Sequence, residues 1–232
     1  MSNVVDNSII IWPPASNGVI FKQDSRISFN AIDIAMPEEA LCDYVRSTDI
    51  LQSIDSLGLK ADLMHSRSKY GFVHVSVDRN TCPDSNSYSI HACNQQVAIV
   101  GADQLGAVYG LYTFIQMMQQ IGTFKTNTDT GSSSVVIPAF SIVDVPDIEQ
   151  RAVMWSLRQD LHESAVLLND RIGWLLRSRI NTVFLVSQDD ACATVDYSDD
   201  SVRRSIASFS HQCTAATIKL IPTVILSSIG QM

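Results

Sequence analysis

The sequence predicts an α+β domain, a sheet covered by helices, followed by an incomplete α/β layer of parallel strands. Three observations predict it. Short β-type runs alternate with amphipathic helical stretches in the first half of the chain. A polar segment then runs from Lys125 to Ser134. From Arg151 onward the pattern becomes strand, helix, strand, helix, strand.

Near the start, Val19-Ile20-Phe21 and Arg26 to Ile32 alternate apolar and polar side chains, reading as short strands around the Asn17-Gly18 turn. Between Pro37 and Gly58, Leu41, Tyr44, Val45, Ile50, Leu51, Ile54 and Leu57 recur at three- and four-residue steps. That spacing predicts one or two amphipathic helices, closed by glycine, that cover the sheet. Further β-type runs follow at Gly71–Asp78, Tyr88–Ala92 and Gln96–Gly101, the first two separated by the turn-rich segment Asn80 to Asn86.

Leu105, Val108, Leu111, Tyr112, Ile115 and Met118 lie on one helical face, and Gly106 and Gly110 on that helix permit close backbone approach to a neighbour. Lys125 to Ser134 contains no apolar residue and reads as a solvent loop or linker with a boundary beyond it. The later strands are predicted at Ala152–Leu157, Thr182–Ser187 and Ile218–Leu226, with helices at Ser164–Arg179 and Ser201–Thr214. Val183 to Val186 and Ile218 to Ile225 are apolar nearly throughout, which predicts strands covered on both faces.

The composition, 46% hydrophobic and 17% charged over 232 residues, supplies a core and excludes an intrinsically disordered chain. A net charge of -8 with no basic stripe argues against a nucleic-acid partner. There is no run of about 18 apolar residues for a membrane span. Ser8 to Pro14 is too short, and has no basic flank, to read as a signal peptide, so as written the chain starts in the cytosol. Cys42, Cys82, Cys93, Cys192 and Cys213 form no C-x-x-C pair and read as mostly buried thiols. His65, His74, His91, His162 and His211 show no metal-ligand spacing. No nucleophile elbow, phosphate-binding glycine loop or dinucleotide fingerprint occurs, so neither a metal nor another cofactor is implied.

Several segments together resemble the glycoside hydrolase family 20 β-N-acetylhexosaminidases. Ser87 to Ile90, Val97 to Asp103 and Gly106 to Gln116 resemble the small domain that precedes the barrel there. Ile137-Pro138-Ala139, Ile142, Asp144, Pro146 and Arg151 resemble the approach to the first barrel strand. Ile180 to Asp190 is similar to the second strand, with Asn181 before it and paired aspartates after it, and Ile221-Pro222 is similar to the third. The resemblance implies a non-catalytic domain at 1–148 and the start of a (β/α)8 TIM-type barrel at 149–232, truncated after about the third strand. On that expectation the first part folds with its own core while the second is poorly protected.

The activity implied is hydrolysis of terminal N-acetylhexosamine residues of glycans with retention. The substrate's own N-acetyl oxygen attacks the anomeric carbon, an aspartate orients the acetamido group, and an adjacent glutamate protonates the leaving oxygen. The resemblance places that Asp-Glu pair after the fourth barrel strand, so no catalytic residue is expected within this chain. The family's members are often lysosomal or secreted.

Asp189 and Asp190, at the C-terminal end of the second strand, are the leading candidates to bind a sugar hydroxyl or orient a histidine. The alternative reading is a polar loop that caps the next segment. Arg158 is a candidate sugar-binding arginine but stands one residue early against the family pattern, whose position holds Gln159, and a one-residue shift on a strand reverses the face. Ala152 and Ser156 replace a glycine and an aspartate, and Phe184 and Val186 stand where histidines are common. His162 follows the first barrel strand and reads either as facing the site or as an exposed loop residue. These departures keep two other readings open, a non-catalytic carbohydrate-binding or regulatory relative and a related glycosidase such as an α-glucuronidase, which carries a similar leading domain.

Overall fold

The computed structural model describes residues 3–5, 13–15, 17–46, 48–64, 72–126, 133–157, 165–187 and 200–223. The first strands are β1 (Asn3–Val5), β2 (Val19–Phe29) and β3 (Ala31–Ala35). The alternating stretch read as ending at Ile32 instead breaks at Asn30, and its two parts lie in different places in the sheet. Helices α1 (Glu39–Arg46) and α2 (Ile50–Asp55) follow, burying Leu41, Tyr44, Val45, Ile50 and Ile54 as their spacing requires. Gly58 then turns the chain with a φ of 73°, a left-handed conformation open to glycine.

Next come β4 (Lys60–Met64), β5 (Phe72–Val77), β6 (Tyr88–Cys93), β7 (Gln96–Gly101), α3 (Gln104–Ile121), β8 (Thr123–Thr126) and β9 (Ser133–Asp144). Among the described residues these strands make one nine-stranded mixed sheet, ordered β1-β2-β9-β6-β7-β5-β3-β4, with β8 also paired to β9. The segment read as a solvent linker is a hairpin at both of its described ends, where Lys125 opposes Ser134 and Thr126 opposes Ser133. All four side chains of β8 are exposed, so the strand carries no apolar alternation to reveal it.

Strand β9 lies between β2 and β6 although it contains Pro138, which cannot donate to a ladder. The register explains this. Phe21 opposes Phe140 and Arg26 opposes Pro138, so the pairing of β2 slips where the proline sits.

The central helix α3 starts at Asp103, whose carboxylate accepts a 2.8 Å hydrogen bond from the Gly106 amide. It lies on β5, β6, β7 and β9. A Cβ at Gly106 would stand 2.3 Å from the Ser87 carbonyl oxygen, and one at Gly110 would stand 2.5 Å from Ile99 Cγ2. The two glycines therefore set how closely the helix approaches the sheet. Phe114 packs edge-on against Phe29 across this interface.

The remaining elements are β10 (Ala152–Leu157), α4 (Ala165–Arg177), β11 (Thr182–Ser187), α5 (Asp200–Ala215) and β12 (Lys219–Thr223). The three strands pair in parallel in chain order. Ile172, Leu175 and Leu176 of α4 and Phe209 and Cys213 of α5 are buried in the same hydrophobic cluster as Val183, Leu185 and the core of the large sheet. The other face differs from expectation. Met154, Phe184 and Ile221 are register partners in one row, Met154 is 65% exposed, and the other two are only half-buried. Among the described residues α4 and α5 pack on the face of Val183 and Leu185, and the opposite face is the less covered one at Met154. The whole is a mixed α/β architecture with a large sheet and, among the described residues, five helices.

Candidate functional site

The residues singled out from the sequence, Arg158, Asp189 and Asp190, lie outside the described residues, as does His162. Their points of departure are described. Leu157 ends β10, Ser187 ends β11, and the two are register partners in parallel strands. The segments carrying Arg158 and Asp189-Asp190 therefore leave from neighbouring positions on the same C-terminal edge of the sheet. The open row of Met154, Phe184 and Ile221 runs across the same sheet.

At the opposite, N-terminal edge the strands meet the large-sheet unit in a polar junction. Asn181, just before β11, accepts a 2.9 Å hydrogen bond from the Arg151 amide and donates to the Glu149 carbonyl at 2.6 Å. It also donates to the Asn86 side-chain oxygen at 3.0 Å. Asn86 has a left-handed φ of 61°, and its backbone amide donates to Asp103 at 2.8 Å. The carboxylate that caps α3 thus also fixes the turn that contacts β10 and β11. The Asn181 position noted in the sequence has a structural function here, joining the lead into β10 to the start of β11.

Two arginines complete the junction. Arg151 donates to the carbonyls of Arg179 and Ile148 at 2.6 and 2.8 Å and to Asn86 Oδ1 at 3.3 Å. Arg179, 7% exposed, pairs with Asp144 at 2.6 Å and donates to the Tyr88 hydroxyl at 2.7 Å. A cavity of about 230 Å³ lies here, lined by Pro13, Pro14, Asn86, Asp144, Arg151 and Arg179 among others. Its polar side chains bond mainly to protein carbonyls and to one another, as a structural joint does.

Four tyrosine hydroxyls face this region. Burial raises the ionisation of Tyr44, Tyr88, Tyr109 and Tyr112 well above the usual phenol value. The Arg179 charge opposes this at Tyr88, the Arg151 charge opposes it at Tyr109, and the Asp49 carboxylate reinforces it at Tyr112. All four are therefore neutral hydrogen-bonding groups near pH 7. Burial likewise pushes the Cys213 thiol up to about 12, which makes it a packing group and not a nucleophile. Cys42 and Cys82 are buried too, Cys93 is half-buried, and Cys192 lies outside the described residues.

His91 is shifted down, first by burial and then by the nearby Lys22 ammonium, 3.3 Å from its Nε2. Among the described residues no group of three His, Cys, Asp or Glu side chains is placed to hold a metal ion. No helix there is long and apolar enough to cross a membrane. The junction residues Asn86, Asp103 and Arg179 escaped the sequence reading, although Asp103 before an apolar helical run is a readable N-cap.

No family model matches the sequence, and no curated protein matches it. Solved structures do match. CpGH84D superposes with a TM-score of 0.65 at 11% identity, over 94% of this chain and 38% of that one. The family 20 exo-β-N-acetylglucosaminidase from Vibrio harveyi, solved with N-acetylglucosamine, gives 0.57 at 15% identity, over 96% and 37%. The chitobiase of Flavobacterium johnsoniae gives 0.58 at 15% identity, over 88% and 33%. The chain spans well under half the length of these structures. At such identities the likeness is one of fold alone.

Proposed function

We propose that the chain is the leading part of a β-N-acetylhexosaminidase-like glycosidase, with a non-catalytic domain at 1–148 and the opening βα units of a TIM-type barrel at 149–232. The observation that carries this reading is the one-sided parallel sheet. In a closed barrel helices cover the outside of the strands, and the inside is filled by side chains from the other strands. Strands β10, β11 and β12 have α4 and α5 on one face and, on the other, the apolar row of exposed Met154 and half-buried Phe184 and Ile221, as three strands of such a barrel would.

In this reading the active centre forms at the C-terminal edge, where Leu157 and Ser187 end their strands. Asp189 and Asp190 bind a sugar hydroxyl or orient a neighbouring side chain, and Arg158 contributes a sugar contact. The substrate is a glycan ending in N-acetylhexosamine. Its acetamido oxygen attacks the anomeric carbon, and an adjacent Asp-Glu pair, supplied from beyond the third strand, orients that group and protonates the leaving oxygen. These 232 residues alone then lack the acid and do not turn over substrate.

The test is a fluorogenic N-acetyl-β-glucosaminide assay on the purified chain, with folding checked by circular dichroism. A folded sample that releases no fluorophore is expected. Release would overturn the assignment of the acid and point to a carboxylate such as Asp189 or Asp190. Binding of N-acetylglucosamine oligomers by the folded chain would favour a carbohydrate-binding relative instead.

A further inference from the structure

The turn between α4 and β11 carries an arginine where the backbone favours glycine. The Ile180 amide donates to the Leu175 carbonyl at 2.8 Å, and the Arg179 amide to the Leu176 carbonyl at 3.0 Å. This is the helix-ending pattern whose next residue takes the left-handed conformation, and Arg179 has a φ of 55°. L side chains other than glycine and asparagine seldom adopt it. The following turn, from α5 to β12, has the same pattern with Thr217 at φ 52°. Thr217 is exposed, whereas Arg179 is buried.

Arg179 contacts four separate parts of the large-sheet unit. It reaches Asp144 at the end of β9, Tyr88 at the start of β6, Thr113 in α3 at 3.4 Å and the Pro14 carbonyl at 3.3 Å. Its guanidinium also lies 5.4 Å from the centre of the Tyr88 ring. Tyr88 and Thr113 bond each other at 2.7 Å, so one cation holds a strand and a helix of the other unit together. Removing it would leave the Asp144 carboxylate, equally buried, without this counter-charge.

The surrounding contacts converge on the same seam. Arg177, two residues earlier, pairs with Asp49 at 3.1 Å, and Asp49 also accepts from the Tyr112 hydroxyl. A Cβ on Gly173 would stand 2.7 Å from the Asp49 carboxylate, so glycine is what lets α4 come this close. Tyr109 donates to the Ile180 carbonyl at 3.3 Å, and Tyr44 donates to that of Ala216. Every tyrosine among the described residues therefore directs its hydroxyl at this seam or at a residue bonded across it.

We infer that the α4–β11 turn is a latch, with Arg179 as its central bond, that makes the nine-stranded unit and the parallel unit open and close as one cooperative body. The inference stands apart from the glycosidase reading. It implies that the leading domain is not a module swinging on a linker but a fixed support for the N-terminal edge of the parallel strands.

The test is native-state hydrogen exchange, read by mass spectrometry, on the full chain and on Arg179→Gly, Thr217→Gly and Asp49→Asn. In the unaltered chain the slowest amides of β6, β9 and α3 and those of α4 and β11 should open with one equilibrium constant. Arg179→Gly relieves the backbone yet should lower protection in both units by a factor on the order of 100 or more, because four parts of the large-sheet unit lose their shared bond and Asp144 loses this counter-charge. Asp49→Asn, nearer the rim, should lower it by less than about tenfold. Thr217→Gly, the same turn without a buried ion pair and with only a hydrogen bond to Tyr44 to lose, should fold and lower protection by less than about tenfold.

An Arg179→Gly chain that fails to fold beside a folded Thr217→Gly chain is the expected loss in its extreme form. The latch is overturned if Arg179→Gly retains or gains protection, if Thr217→Gly suffers equally, or if α4 and β11 in the unaltered chain exchange much faster than β6 and α3.

Discussion

The two sheets treat their uncovered faces differently. On the large sheet the residues pointing away from the helices are mostly small or polar. His91 sits between buried Ile90 and Ala92, Ser76 follows buried Val75, and Ser141 precedes buried Ile142. That is how a sheet is written when one side belongs to solvent. On the parallel sheet the row of Met154, Phe184 and Ile221, of which Met154 is exposed and the other two half-buried, is as apolar as the helix-facing row of Val153, Val183 and Leu220. The first face is written for solvent, whereas the second carries apolar side chains where solvent would favour polar ones.

Raising the pH should strain the closed region most. Tyr44, Tyr88, Tyr109 and Tyr112 hold their protons in the folded state to a higher pH than the ordinary value of 10.0. Their contribution is fully present below pH 10.0 and is lost as pH rises above it, since the unfolded chain releases those protons first. Cys213 adds the same trend between its ordinary 9.0 and about 12. The thermal midpoint, followed by circular dichroism, should fall steadily from pH 9 upward. A midpoint unchanged to pH 11 would show that these groups are not sealed in the folded state.

Single substitutions sharpen the contrast. Phe114→Ala, in the fully buried helix-sheet interface, should cost about 3–5 kcal/mol in denaturant titration. Gly106→Ala should cost about 1–3 kcal/mol, because the new methyl meets a backbone oxygen that cannot rotate away. Met154→Ser should stay within about 0.5 kcal/mol, since that side chain is already in water. A cost for Met154→Ser comparable to that of Gly106→Ala would mean that the open row is covered in solution.

Much of this organisation is legible in the amino-acid order, and the exceptions have physical causes. Helix α3 shows itself through Leu105, Val108, Leu111 and Met118 on one face, and β10, β11 and β12 through short apolar runs with the amphipathic α4 and α5 between them. Strand β4 begins Lys60-Ala61-Asp62 and lies at a sheet edge, so it lacks the alternation of a half-buried strand. Strand β9 is interrupted by Pro138, which normally argues against a central strand, and only the register slip in β2 accommodates it.

The left-handed conformation of Arg179 has no sequence signature, because the residue that usually marks it is glycine. For the site, the sequence offers Arg158, Asp189 and Asp190 through a resemblance of motifs. The structure describes only the strand ends from which their segments depart.

As proposed above, the row of Met154, Phe184 and Ile221 forms the inside of a glycosidase barrel. The most direct measurement is to sequence the messenger RNA through and beyond codon 232 and to read the encoded protein. Further alternating strands and helices are expected, with an adjacent Asp-Glu pair closing the fourth parallel strand. A message that encodes no such strands, or that encodes them without that pair, would contradict that proposal.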